Sequence, residues 1–157
     1  MHFVSLDTPL GKLGVFEQGS KIVRVSFSFS ESDMKLSPSD IAQCAANQID
    51  EYFLGKRKSF DLPLSFDEVT PFRKKVYSQL LKVEYGKTVT YKDVAGAILQ
   101  PAAARAVGGA LNKNPLLILV PCHRVVGADG SLTGFACGTD KKRFLLELEK
   151  TNSDLKY

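Results

Sequence analysis

Cys122 and His123 stand side by side in the run Pro121-Cys122-His123-Arg124-Val125-Val126-Gly127. A thiol beside an imidazole is the pairing from which a cysteine nucleophile and its base are built. The reactive species is the thiolate. An ordinary thiol, with a pKa of about 8.5, is mostly protonated at neutral pH, so a neighbouring group must help remove the proton. Histidine is the side chain best suited to that task. The preceding run Leu116-Leu117-Ile118-Leu119-Val120 reads as a buried strand. Pro121 cannot continue a central ladder, so the thiol is expected at a strand end, where rigid scaffolds commonly present reactive groups. Cys44 and Cys137 show no paired spacing with Cys122, which disfavours a disulfide framework. A zinc site needs four ligands, usually in close pairs, and only His2 and His123 supplement the three cysteines, so no metal is expected. No loop suited to a cofactor is evident either.

With 157 residues, 44% of them hydrophobic, the chain can build a real core as one domain or as two small ones. No apolar run approaches the roughly 18 residues that span a bilayer, and Met1-His2-Phe3-Val4 does not open a secretion signal. The expected location is the cytoplasm, or the nucleus in a eukaryote. The formal charge of +4 is unevenly spread. Residues 1–70 hold 7 Lys+Arg against 10 Asp+Glu, a net of −3, whereas residues 71–157 hold 14 against 7, a net of +7. The cysteine lies in the basic part. Clustered cations gain affinity for a polyanion by releasing its counterions, although a solvated basic surface would show the same charge.

The elements that must position these groups follow from pattern and punctuation. Residues 3–29 read as an antiparallel meander, with turns at Asp7-Thr8-Pro9-Leu10-Gly11 and Gln18-Gly19-Ser20. Residues 31–37 look like a polar loop. Ser37-Pro38-Ser39-Asp40 opens a helix whose apolar positions include Ile41, Cys44, Ala45, Ile49, Tyr52 and Phe53, and this places Cys44 on a packed face. Gly55 and the cations after it end that helix, and an extended connection follows. The domains are thus expected at 1–68 and 69–157. Thr70-Pro71 starts a helix with Phe72, Val76, Leu80 and Val83 inward, Thr90 caps a short one from Tyr91 to Leu99, and Pro101 begins another, Ala102 to Asn112. Two short helices joined by a tight turn are the outline of a helix-turn-helix. The second of them is built almost wholly of small residues, and its Gly108-Gly109 pair costs roughly 1 kcal/mol per glycine against alanine. Close helix packing is one reason for such a composition. The other is a helix that lies deep in a nucleic-acid groove while Arg105 reaches in. A helix that reads base edges would carry more Asn, Gln, Arg and Ser, so this one is suited to shape rather than sequence. Thr133-Gly134-Phe135 is expected to close over whatever Cys122 attacks. Thr139-Asp140 is expected to cap a last helix with Phe144, Leu145 and Leu148 inward, ending near Glu149 before a frayed tail.

Pro121-Cys122-His123-Arg124-Val125, preceded by Asn114-Pro115 and by Arg105-Ala106-Val107-Gly108-Gly109-Ala110, resembles the signature of the O6-alkylguanine-DNA alkyltransferases. The resemblance covers roughly Pro71 to Glu149; the N-terminal part agrees in general layout only. It implies an α/β N-terminal domain of ribonuclease H-like topology, a small antiparallel sheet plus helix, followed by a mainly α, winged helix-turn-helix-like C-terminal domain that holds the site. It further implies a monomer without cofactor that grips double-stranded DNA through the minor groove and rotates a damaged guanine out of the stack. The O6-alkyl group of that guanine, and by extension that of O4-alkylthymine, passes to Cys122 once per molecule. By position, His123 takes the thiol proton through a water, Glu149 orients His123, and Tyr91 donates a proton to the leaving base. Arg105 fills the gap left by the base, Ala106 and Gly108 lie on its helix against DNA, and Lys92 and Gln100 are further contacts. Asn114 supports the turn at the site, while Val125, Thr133 and Gly134 line the base pocket. Cys137 is read as structural. Leu132 and Phe135 depart from the residues common beside the pocket, which leaves the tolerated alkyl size open, and the zinc ligands of some relatives have no counterpart.

Three other classes compete. An alkyltransferase-like binding module keeps the grip but lacks the cysteine, and Cys122 argues against it. A sequence-specific regulator would dimerise on a defined operator, and a thiol hydrolase using Cys122, His123 and Glu149 would turn over repeatedly.

Overall fold

The computed structural model describes residues 1–132 and 137–153. They form two compact units, one from Met1–Asp67 with Pro115–Leu119, the other from Glu68–Asn114 with the described residues from 120 to 153.

In the first unit β1 (His2–Thr8), β2 (Gly11–Gln18) and β3 (Lys21–Ser26) form an antiparallel meander in chain order, as the turn sequences predict. Phe3 pairs with Phe16 and Val4 with Val15. Both faces of β2 are covered. Leu13 and Val15 are fully buried on one face, and on the other the Phe3 ring packs on Phe16 at 4.9 Å and on Phe29 at 5.2 Å between centroids. Gly14 makes this cluster possible, since a Cβ there would lie 2.7 Å from the Phe3 ring. Helix α1 (Glu31–Met34) occupies the stretch expected to be a polar loop. Its reason is local: Ser30 accepts from Asp33 N–H at 3.1 Å while the Asp33 carboxylate accepts from Ser30 N–H at 2.9 Å, a capping box that needs no apolar stripe. Helix α2 (Asp40–Phe53), capped by Ser39, packs on all three strands through Ala42, Ala45, Ala46, Ile49, Tyr52 and Phe53. Cys44 falls one position off that stripe and is exposed, which corrects its expected placement on a packed face.

Two isolated parallel bridges add to β3, Ile22 with Leu64 and Val25 with Leu116. The run Leu116–Val120 is buried throughout but is not the strand its composition predicts. Leu116 bridges Val25, then Ile118 takes φ +71° and the Leu119 N–H bonds back to the Leu117 carbonyl at 2.8 Å, so the chain turns. Apolar content specifies burial, whereas a strand also needs a continuous backbone partner.

In the second unit α3 (Pro71–Leu80) is capped by Thr70 and buries Val76, Tyr77 and Leu80. A short parallel ladder joins β4 (Val89–Thr90) to β5 (Val125–Val126). Helix α4 (Tyr91–Ala97) starts in a Thr90/Asp93 capping box. It ends in a Schellman motif, with Leu99 N–H on the Gly96 carbonyl at 3.0 Å and Gln100 N–H on the Ala95 carbonyl at 2.9 Å. The residue in the left-handed position of that motif, φ +62°, is Leu99. Helix α5 (Ala104–Asn112) begins two residues later than expected because Pro101 and Ala102 form the turn, and it packs on α4 and α3. A single 3-10 turn spans Cys122–Arg124. Helix α6 (Thr139–Asn152) has Gly138, not Thr139, at its N-cap and runs past Glu149 to Asn152. Its buried face carries Lys142, Leu145 and Glu149, while Phe144 and Leu148 are half-buried. The architecture is a small antiparallel sheet with a helix, followed by a mainly helical unit containing a helix-turn-helix. Among the described residues no helix is long and apolar enough to cross a membrane.

Candidate active site

Cys122 opens the 3-10 turn rather than ending a strand, and its own N–H bonds to the Val120 carbonyl at 2.8 Å. The residue is 1% exposed. Asn114, buried just after α5, donates from Nδ2 to the same Val120 carbonyl at 3.0 Å, and its side chain also hydrogen-bonds the thiol. Burial pushes the Cys122 thiol up to about 11, against Asn114 and the Lys142 ammonium, which favour the thiolate. The resting thiol is therefore neutral at neutral pH.

The next two residues both engage Glu149 of α6. His123 Nε2 donates to Glu149 Oε2 at 2.6 Å. Arg124 donates from Nε to Oε1 at 2.8 Å and from Nη2 to Oε2 at 3.1 Å, and its Nη1 donates to the Val83 carbonyl at 2.7 Å. The Gly86 N–H adds a bond to Glu149 Oε1 at 3.1 Å. Gly86 lies at φ +77°, and a Cβ there would stand 2.9 Å from that of Ser153, so the close approach requires glycine. All three ionisable side chains are buried. Burial alone would raise Glu149, but hydrogen bonds and charge from His123 and Arg124 outweigh it and hold the carboxyl well below the usual range. Burial lowers His123, and with the charges of Arg124 and Lys142 it prevails over the hydrogen bond and charge of Glu149, which raise it. The consistent state is a Glu149 carboxylate neutralised by Arg124 beside a neutral imidazole. With Nε2–H committed to the carboxylate, the ring's lone pair is on Nδ1. Such a ring accepts one proton, and the imidazolium that results rests against a fixed carboxylate.

Two further groups surround the thiol that sequence reasoning missed. Lys142 is fully buried; burial lowers its pKa and the charge of Cys122 opposes that. Its Nζ also lies 5.9 Å from the centroid of the Tyr91 ring. The signal was present: Lys142, Leu145 and Glu149 share one helical face at i, i+3 and i+7. Tyr77 donates its hydroxyl to the Ala110 carbonyl at 2.7 Å. Burial pushes it up to about 12, and its charge couples to that of Cys122. No residue spacing announces this contact between α3 and α5.

The remaining candidates divide clearly. Val125 is buried in β5 directly after the turn. Tyr91 opens α4, half-buried, with its ring toward Gly108. A Cβ at Gly108 would meet that ring at an ordinary 3.7 Å, and one at Gly109 would meet nothing within 4 Å. Close helix packing therefore requires neither glycine, which removes one of the two reasons offered for them. Arg105, Ala106, Lys92 and Gln100 are exposed. Thr133 and Gly134, with Phe135, lie outside the described residues. Cys137 is half-buried, and burial raises its thiol. No cluster of His, Cys, Asp and Glu able to hold a metal occurs among the described residues.

A helix-turn-helix unit that buries a cysteine, a histidine and a glutamate while its second helix carries an exposed arginine defines the class: a two-domain protein whose second domain has a DNA-binding architecture. Residues 1–66 match the ribonuclease-like domain of 6-O-methylguanine DNA methyltransferases, and residues 71–151 match their DNA binding domain. The chain is 54% identical to a methylated-DNA–protein-cysteine methyltransferase of Methanosarcina barkeri, over 97% of this chain and 99% of that one. It is 40% identical to the constitutive enzyme of Bacillus subtilis, over 95% of each. The crystal structure of Mycobacterium tuberculosis OGT in complex with DNA aligns with a TM-score of 0.87 at 39% identity, over 97% of this chain and 94% of that one. The chain belongs to the methylated-DNA–protein-cysteine methyltransferase family.

Proposed function

We propose that the protein repairs DNA by direct reversal, moving the alkyl group of O6-alkylguanine, and of O4-alkylthymine, from duplex DNA to its own Cys122. The sulfur forms a bond to the alkyl carbon as the carbon–oxygen bond breaks. The electron pair stays on the base oxygen, and a proton from the Tyr91 hydroxyl neutralises the leaving base. His123 Nδ1 receives the thiol proton, by way of a water, and Glu149 steadies the charge that forms there. Lys142 lies where it favours the thiolate. The product is a thioether that no group among the described residues is suited to cleave, so each molecule acts once and needs no cofactor.

DNA enters along the exposed face of the helix-turn-helix, through the minor groove and with a single protein molecule. Arg105 takes the space of the extruded base, Ala106 and Gly108 allow close approach, and Lys92 and Gln100 meet the backbone. A damaged base is easier to unpair than a sound one, which favours the lesion before any chemistry. Val125, Thr133 and Gly134 line the base pocket, and residues 69–157 form the working domain. The cytoplasm, or a nucleus, is where such a substrate is met. The observation that carries this reading is the buried Cys122 turn with His123 committed to Glu149 at 2.6 Å. Two variants test it. Cys122→Ala is expected to abolish removal of the alkyl group from duplex DNA while DNA affinity is kept. Arg105→Ala is expected to slow repair of duplex far more than reaction with a free alkylated guanine; an equal loss on both substrates would refute the extrusion role.

A further inference from the structure

Apart from the exposed Arg105 and Lys92, the second unit has another exposed cationic feature. A groove of about 620 Å³ runs between α3 and the end of α4. Pro71, Ile98 and Leu99 give it an apolar lining, and Lys74, Lys75 and Lys82 line it from α3 and the turn after it. All three lysines are exposed, no carboxylate lines the groove, and none of the three is ion-paired among the described residues. Lys74 to Lys82 covers about 12 Å of chain at helical rise, the scale of several phosphates along one DNA strand. Leu99 is the second observation. It is 87% exposed, and it holds φ +62° at a helix end where glycine would sit without strain. A large apolar side chain kept both strained and in water is suited to a contact made outside the chain. The groove is also continuous with the helix-turn-helix, because Gln100 follows Leu99 directly in the turn.

We propose that this groove is a second DNA contact, in which Lys74, Lys75 and Lys82 take phosphates of the duplex beyond the damaged base and Leu99 packs against the sugar edge beside them. The inference rests on the reading of the protein as a DNA-binding alkyltransferase. Its partner chemistry follows from the lining: three ammonium groups without a carboxylate match a phosphate backbone, the apolar side chains of Pro71, Ile98 and Leu99 match deoxyribose, and Ser78 and Gln79 add neutral groups that can hydrogen-bond phosphate oxygens.

The experiment measures affinity of the full chain for a long unmodified duplex as a function of salt, for wild type, the triple variant Lys74→Gln/Lys75→Gln/Lys82→Gln, and Leu99→Gly. The triple variant is expected to flatten the slope of log affinity against log salt by about 2 to 3, close to one for each phosphate left without its lysine. Leu99→Gly is expected to weaken binding several-fold with the slope unchanged, since it removes an apolar surface and no charge. The thermal midpoint of the triple variant, expected at the wild-type value, shows that the fold is kept. A slope equal to that of wild type overturns the proposal. So does a loss confined to protein concentrations that load several molecules on one duplex, because the lysines would then face a neighbouring copy. If wild type itself fails to bind duplex, it is the alkyltransferase reading that falls, and the groove with it.

Discussion

Glu149 receives four hydrogen bonds from three residues, His123, Arg124 and Gly86, and this single carboxylate governs the protonation of the site. Glu149→Gln leaves Arg124 as a buried cation without its counter-charge, and the expected cost is about 3–5 kcal/mol, read from urea midpoints. The same cluster sets a pH dependence whose sign follows from the shifts. His123 is lowered in the folded protein from 6.5, so below that pH the unfolded chain takes up a proton that the folded one resists. Glu149 is lowered from 4.5 and acts in the same direction further into acid. Stability is accordingly expected to fall as pH drops from 7 to 5 and on toward 4, with a slope of at most about 1.4 kcal/mol per pH unit for each group. His123→Gln should flatten the part between pH 7 and 5; an unchanged slope would mean that the imidazole is not held neutral. Cys122, pushed up to about 11, should resist small thiol-modifying reagents at pH 8 compared with an exposed cysteine such as Cys44.

Among the elements, α4 shows how a local rule can be followed at one end and broken at the other. Thr90 and Asp93 close a capping box that is legible in the sequence, and Thr90→Ala should cost about 1 kcal/mol. At the other end Leu99 takes the left-handed position. Leu99→Gly is expected to gain about 0.5–1 kcal/mol of stability, since relief of strain exceeds the extra freedom of glycine in the unfolded chain. Gain of stability with loss of DNA affinity would mark Leu99 as kept for contact. The meander, α2 and α3 can be read from turn residues, caps and helical spacing because those signals are local. Leu116–Val120 misleads because its burial comes from partners distant in sequence, and α1 escapes notice because a capping box without an apolar stripe looks like a loop. Lys142 is hard to single out because a lysine in a helix is ordinarily a solvated cation; only its place two turns before Glu149 sets it apart.

At the scale of the whole molecule, the charge asymmetry and the Pro121–Gly127 run suffice to point to the second unit, where the proposed chemistry is placed. What the sequence does not convey is that Pro115–Leu119, lying between two parts of the second unit, belongs to the first. Composition averages over a chain that crosses between units and returns, so a single boundary near residue 68 is the simplest reading of it. The proposed repair comes down to one chemical event, an irreversible bond between Cys122 sulfur and carbon taken from a damaged base. Its most direct measurement is intact-protein mass after exposure to an excess of duplex containing O6-methylguanine, with the modified peptide located and the restored guanine counted. The predicted result is a single methyl group per molecule, on Cys122, with one guanine restored for each. Repeated turnover by a protein of unchanged mass, or a methyl group on any other residue, would contradict it.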